Sequence, residues 1–255
     1  MSSSEFWSSW PWPLATACLG LIFTALILSQ WWRRRRPQQA AWAAGMLLYT
    51  VAAFMEAWSE GMGSWNPTIY RIYIVLAASL VGFLGLGTLY LLTHRRRWGH
   101  AYLILVLVMM AIFFYGTFTD TLLMDKLVPG ITVGGQALGG SLSFPRVMSL
   151  PINITGSLLL FGGALYSVVC FLRRREYAYR MWGNVLIAAG AALLALLGSR
   201  ARIGSTTGLY PAEMVGAALM LGGFLLAGTL EKGRKRVRAL RNKAVAAREG
   251  GSEGE

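Results

Sequence analysis

Few side chains in this sequence are equipped for chemistry, and the charged ones among them stand near the ends of long apolar runs. Glu56 comes late in one run and Arg71 early in the next. An ionisable group inside a bilayer costs roughly 2.5–3.5 kcal/mol at a helix centre, so its presence calls for a reason. A carboxylate near a helix C-terminus and a cation near an N-terminus each oppose the local dipole. Glu56 and Arg71 do this on either side of the 59–68 turn. They can offset one another as an ion pair, form the polar pole of a site for a small solute or a proton, or reach separately to the interface. Arg200 and Glu213 form a second pair, one after a run and one in the first turn of the next, behind Pro211. Both agree with their helix dipoles and suit helix ends as they are. Asn153 and Thr155 open a further run. Glu56, Arg71, Asn153, Thr155, Arg200 and Glu213 are therefore the residues expected to line a ligand-binding vestibule.

Other chemistries lack their residues. There is no HExxH, CxxC or glycine-rich phosphate motif, so no metal and no cofactor is assigned. His94 and His100 flank a short basic loop and read as solvated rather than as haem ligands. No histidine lies near the candidate vestibule to activate a serine or threonine. No catalytic residue is assigned, and an enzyme would have to work with carboxyl groups alone. Tyr49, Thr50, Ser79, Tyr90, Tyr166 and Asn184 lie within the runs, where hydrogen bonding between helices is their ordinary role.

The elements that must position these residues follow from hydropathy. Of 255 residues, 55% are hydrophobic and only 14% charged, against about 25% charged in a typical soluble domain. Seven apolar runs, 14–32, 40–58, 69–92, 101–118, 154–172, 181–199 and 212–230, predict an all-α membrane protein of seven transmembrane helices. The net charge of +13 invites a nucleic-acid reading. Its distribution argues otherwise. Four basic residues lie at 33–36, three at 95–97, four within 173–180 and eight beyond 231; only Arg71, Lys126, Arg146, Arg200 and Arg202 fall on the other side. Positive loops face the cytoplasm, which predicts the N-terminus outside, the C-terminus inside and no nucleic-acid partner. Residues 1–13 carry no Lys or Arg, so the first run reads as a retained helix rather than a signal peptide. Residues 1–230 form the transmembrane domain and 231–255 a basic tail suited to an anionic inner leaflet. The 119–152 loop, outside, is long enough for a small hairpin or lid.

An offset of 140 aligns Arg33–Arg35 with Arg173–Arg175, Trp42 with Trp182 and Tyr70 with Tyr210. An offset of 141 aligns Gly82–Leu89 with Gly223–Leu230. Spans 1–3 then repeat as spans 5–7, parallel, with span 4 between them. This three-one-three plan resembles that of SWEET transporters and microbial rhodopsins, although span 7 has no lysine for retinal and spans 1 and 5 carry no mid-run proline. Locally, Asn153–Ser157, Gly162–Ser167 and Gly183–Gly190 resemble uncharacterised bacterial multi-pass membrane proteins, which implies a bacterial inner membrane. The leading expectation is binding or transport of a small solute. The alternatives are a non-catalytic subunit or receptor-like protein working through a partner protein or as a homo-oligomer, and an enzyme acting on a lipid-soluble substrate.

Overall fold

The computed structural model describes residues 10–93, 95–127, 135–139, 143–174, 178–202 and 208–226. The basic tail, His94 and the centre of the 119–152 loop lie outside them. The helices are α1 (Pro11–Arg34), α2 (Pro37–Met62), α3 (Pro67–Leu92), α4 (Arg96–Thr119), α5 (Phe144–Arg174), α6 (Ala178–Arg202) and α7 (Leu209–Leu226). Six of them, all but α6, are long and apolar enough to cross a membrane; the apolar part of α6 is the shorter Met181–Leu196.

Local signals set most boundaries. Proline stands in the first turn of α1, α2 and α3, where its missing N–H costs nothing. Asn66 caps α3 as its position before Pro67 predicts, its side chain accepting from the amides of Thr68 at 2.9 Å and Ile69 at 3.4 Å. Gly63, at φ 68°, closes α2. A left-handed residue there costs glycine little.

The start of α5 departs from expectation. Its helix begins at Phe144, so Asn153 and Thr155 lie inside it rather than at its mouth. Pro151 sits within the helix, where it removes one backbone hydrogen bond without ending the element. Span 5 therefore does contain a proline, contrary to the run boundaries read from hydropathy. The connecting loop is correspondingly shorter. Part of it is hairpin-like: Leu122 and Leu138 form an antiparallel bridge, and the Leu123 amide donates to Ala137 O at 2.9 Å.

Helix α2 packs between α1 and α3, and α3 also meets α4 and α5. A Cβ on Gly85 of α3 would lie 2.7 Å from Gly156 Cα of α5, so the two backbones touch. Helix α7 packs beside α6 through Gly190 and Gly216 and against α1 through Phe23 and Phe224, whose rings are 5.2 Å apart. Two apolar clusters result. One, containing Trp65, Tyr70, Tyr73, Phe113, Leu138 and Leu209, lies at the end that carries the α2–α3 turn, called here the Trp65 end. The other joins Phe23, Met46, Leu84 and Met220 towards the opposite, Arg35 end.

Candidate functional site

On α2, residues 49, 56 and 60 are seven and four apart, so all three fall on one face. That face is buried: Tyr49, Glu56 and Glu60 are inside the bundle, Glu60 completely. On α7, residues 210 and 213 are three apart and share a face in the same way. Tyr73 comes from α3. These three helices bring three carboxyl groups and three phenols together near the Trp65 end. The Tyr73 hydroxyl donates to Glu56 Oε1. The Tyr210 hydroxyl donates to Glu60 Oε1 at 2.6 Å. The Tyr49 hydroxyl donates to the backbone carbonyl of Glu213 at 3.0 Å. Glu56 and Glu213 are themselves within side-chain hydrogen-bonding contact.

An ionised carboxylate is acceptor-only, so two carboxyl groups hydrogen-bond only through a proton that one of them carries. Among the described residues no cation faces Glu56 or Glu213; their neighbours are each other, Glu60 and the tyrosines. The pair can thus hold a proton, or exchange it for a cation that takes the carboxylates as ligands. Tyr73 joins the pair to an aromatic cluster. The Trp65 ring lies 5.0 Å from that of Tyr73 and 5.7 Å from that of Tyr70. Among the described residues, no three His, Cys, Asp or Glu side chains are arranged to hold a metal ion.

Arg71 is not part of this group. Its guanidinium donates to the backbone carbonyls of Thr117 and, at 2.9 Å, Asp120, and lies over the Phe118 ring. The expected pairing with Glu56 fails for a geometric reason. Residues two apart on a helix point about 200° apart. With Tyr73 turned toward Glu56, Arg71 faces α4, where its charge suits that helix's C-terminus. Asn153 and Thr155 also serve packing. Asn153 donates to Ala78 O of α3 at 3.2 Å and to Ser149 O at 2.8 Å, and Thr155 pairs with Tyr102 of α4 at 3.0 Å. Arg200 is exposed near the end of α6. Of the six expected residues, the structure brings together Glu56 and Glu213.

Comparison with protein-family models, curated proteins and solved structures gives no match. The site therefore has to be read from its own geometry.

Glu60, Tyr73 and Tyr210 are additional to the expected site residues, and Glu60 and Tyr210 leave a trace in the sequence. Glu60 stands four residues from Glu56, Tyr210 three from Glu213, and Tyr210 is the partner of Tyr70 in the 140-residue alignment. A cavity of about 310 Å³ opens at the Trp65 end, lined by Trp58, Ser59, Met62, Ser64, Trp65, Asn66 and Ile69. Ser59 lies between the two carboxyl-bearing turns of α2. Its hydroxyl and the Trp65 indole N–H are buried without a hydrogen-bond partner among the described residues. The loop covers the neighbouring surface: the Ala137 amide donates to the Tyr70 hydroxyl at 3.3 Å, and Gln136 donates to Ala201 O at 3.0 Å.

Proposed function

We propose that this chain is a seven-span protein of a bacterial inner membrane, N-terminus outside and C-terminus inside, which binds a small organic cation from outside and moves it in exchange for the proton held between Glu56 and Glu213. The observation that carries this reading is the contact of those two carboxyl groups with no cation beside them among the described residues. A carboxyl pair made of buried Glu56 and half-buried Glu213, without a countercharge among the described residues, is a poor structural choice and a useful exchange site. The Tyr73 ring beside Glu56, with Trp65 packed on it, suits an organic cation, which gains from aromatic faces. A cavity lined by Ser59 and Trp65 opens at the same end of the bundle. Passage to the other side follows from rocking α1–α3 against α5–α7, the two arms of the parallel repeat. Tyr70 and Tyr210, aligned by that repeat, both flank the site.

The partner-subunit alternative expects a free face of small residues on α3 or α7. Gly82, Gly85 and Gly87 of α3 instead meet Ile152, Gly156 and Trp42, and Gly216 and Gly223 of α7 meet α6, while Gly222 has nothing within 4 Å and Ala218 is exposed, which leaves a short free face on α7. An enzyme acting on a lipid-soluble substrate shares the converging carboxyl and hydroxyl groups, and is separated by whether the solute is recovered unchanged. The test uses proteoliposomes with an internal pH dye, challenged with sodium, tetramethylammonium and tetraphenylphosphonium. An organic cation is expected to drive a pH change in the wild type that Glu56→Gln and Glu213→Gln each abolish. Unchanged exchange in both variants defeats the reading.

A further inference from the structure

The opposite end of the molecule holds a second feature, independent of the carboxyl site. Helix α1 ends in Trp31, Trp32 and four consecutive arginines. Among the described residues Arg35 is the one non-glycine residue at positive φ, 49°, a conformation that costs an L-residue roughly 1–2 kcal/mol. Its amide donates to Trp31 O at 2.7 Å, and the turn lays its guanidinium over both indoles, 5.0 Å and 4.9 Å from their centroids. Stacking uses the face of a guanidinium and leaves its in-plane N–H donors open. Those of Arg35 have no hydrogen-bond partner among the described residues, and the side chain is exposed. Arg36 follows as the N-cap of α2, with no side-chain cap on that helix.

Beneath this fork lies a groove. Between α1 and α2 is a cavity of about 230 Å³, lined by Thr24, Leu28, Trp31, Ala40, Ala43, Leu47 and Ala44. It exists because alanines on α2 are too short to fill the space framed by Leu28, Trp31 and Leu47. Leu28 and Leu47 are exposed, so the groove opens sideways. It closes at Thr24, whose hydroxyl is taken up by Thr50 at 3.3 Å. From Trp31 to Thr24 its length is about 10 Å.

We propose that this site binds one anionic phospholipid, its phosphate held by Arg35 and Arg36 at the start of α2 and one acyl chain lying in the α1–α2 groove. The charge complementarity selects the occupant. An acyl chain gains little by leaving other lipid for an apolar groove. The groove therefore fixes where the lipid sits, and the arginines fix which lipid it is.

The test measures thermal stabilisation of the full chain in neutral detergent by dioleoylphosphatidylglycerol, dioleoylphosphatidylcholine and glycerol 3-phosphate. Phosphatidylglycerol alone is expected to raise Tm. Arg35→Gly relieves the positive φ while removing the guanidinium, so it should fold normally yet weaken phosphatidylglycerol binding about tenfold or more, the loss of one charge-assisted contact. Ala44→Phe and, separately, Ala40→Leu fill the groove and should also reduce the shift. Arg97→Ala, stacked on Trp98 away from the groove, should leave it unchanged. An equal response to phosphatidylcholine, or to glycerol 3-phosphate, overturns the proposal. So does an equal loss from Arg97→Ala, which would indicate a general basic surface, or a full phosphatidylglycerol response in Arg35→Gly.

Discussion

The hydroxyl of Tyr73 has one acceptor, Glu56, and both groups are buried. Removing a buried partner costs more than the hydrogen bond was worth, about 1–3 kcal/mol for each group left unsatisfied. Glu56→Gln keeps an oxygen for Tyr73 and offers an N–H to Glu213, so its Tm in detergent should stay within a few degrees of wild type. Glu56→Ala strands both neighbours and should lower Tm clearly further; equal Tm values for the two variants would refute the hydrogen-bonding account. Arg71 gives the converse case. Arg71→Met leaves the Thr117 and Asp120 carbonyls without their shared donor and should destabilise by roughly 1.5–3 kcal/mol, the range for charged hydrogen bonds. It should leave cation–proton exchange intact, since the guanidinium faces α4. Loss of exchange in a stable Arg71→Met would return Arg71 to the site. These residues also mark what the sequence makes legible. The Asn66 cap is a matter of three adjacent residues and reads directly. The position of Arg71 depends on which face of α3 meets α2, and no argument from a single helix dipole contains that information. Glu213 suits its own helix end as the sequence stands, and its neighbour Glu56, 157 positions away in sequence, is brought to it only by packing.

At the scale of elements, helix α5 separates hydropathy from structure. Its apolar run starts at 154, yet the helix begins ten residues earlier because Phe144, Val147 and Leu150 continue it through Pro151. Proline reads as a boundary in sequence; within a packed bundle, neighbouring groups tolerate the missing bond. The misplaced start is what made Asn153 and Thr155 look like a vestibule rim instead of ties to α3 and α4. The same helix carries a sharp packing test. A Cβ on Gly156 would lie 2.5 Å from Val81 O, a backbone atom that cannot swing aside, whereas Gly162 has nothing within 4 Å. Gly156→Val should therefore force α3 and α5 apart and abolish a monodisperse species in size-exclusion chromatography. Gly162→Ala should elute and melt as wild type. If both variants behave alike, the backbones of α3 and α5 are not in contact at Gly156.

At the scale of the whole molecule, the number of crossings turns on α6. Its apolar stretch, Met181–Leu196, is short for a bilayer of about 30 Å. Even so, α6 follows α7 closely: Gly183 lies against Gly223, and Ala201 shares a buried cluster with Leu209 at the Trp65 end. A helix so placed reaches from one end of the bundle to the other, and mismatch of this size is met by local thinning or by flanking arginines that reach to the interface. The proposed seven crossings, with the arginine-rich end in the cytoplasm, make a definite labelling pattern. In a background with Cys18 and Cys170 replaced by serine, Ser64→Cys, Met124→Cys and Gly208→Cys should react with a membrane-impermeant maleimide on intact cells. Arg36→Cys and Arg95→Cys should react only after permeabilisation. The decisive site is Gly208, at the start of α7. If α6 failed to cross, α7 would begin on the cytoplasmic side, and Gly208→Cys would be protected while Ser64→Cys remained reactive. Glu213 could not then lie at the depth of Glu56, and the carboxyl contact on which the proposed proton exchange depends would be lost. The labelling of Gly208→Cys thus tests the topology and the site together.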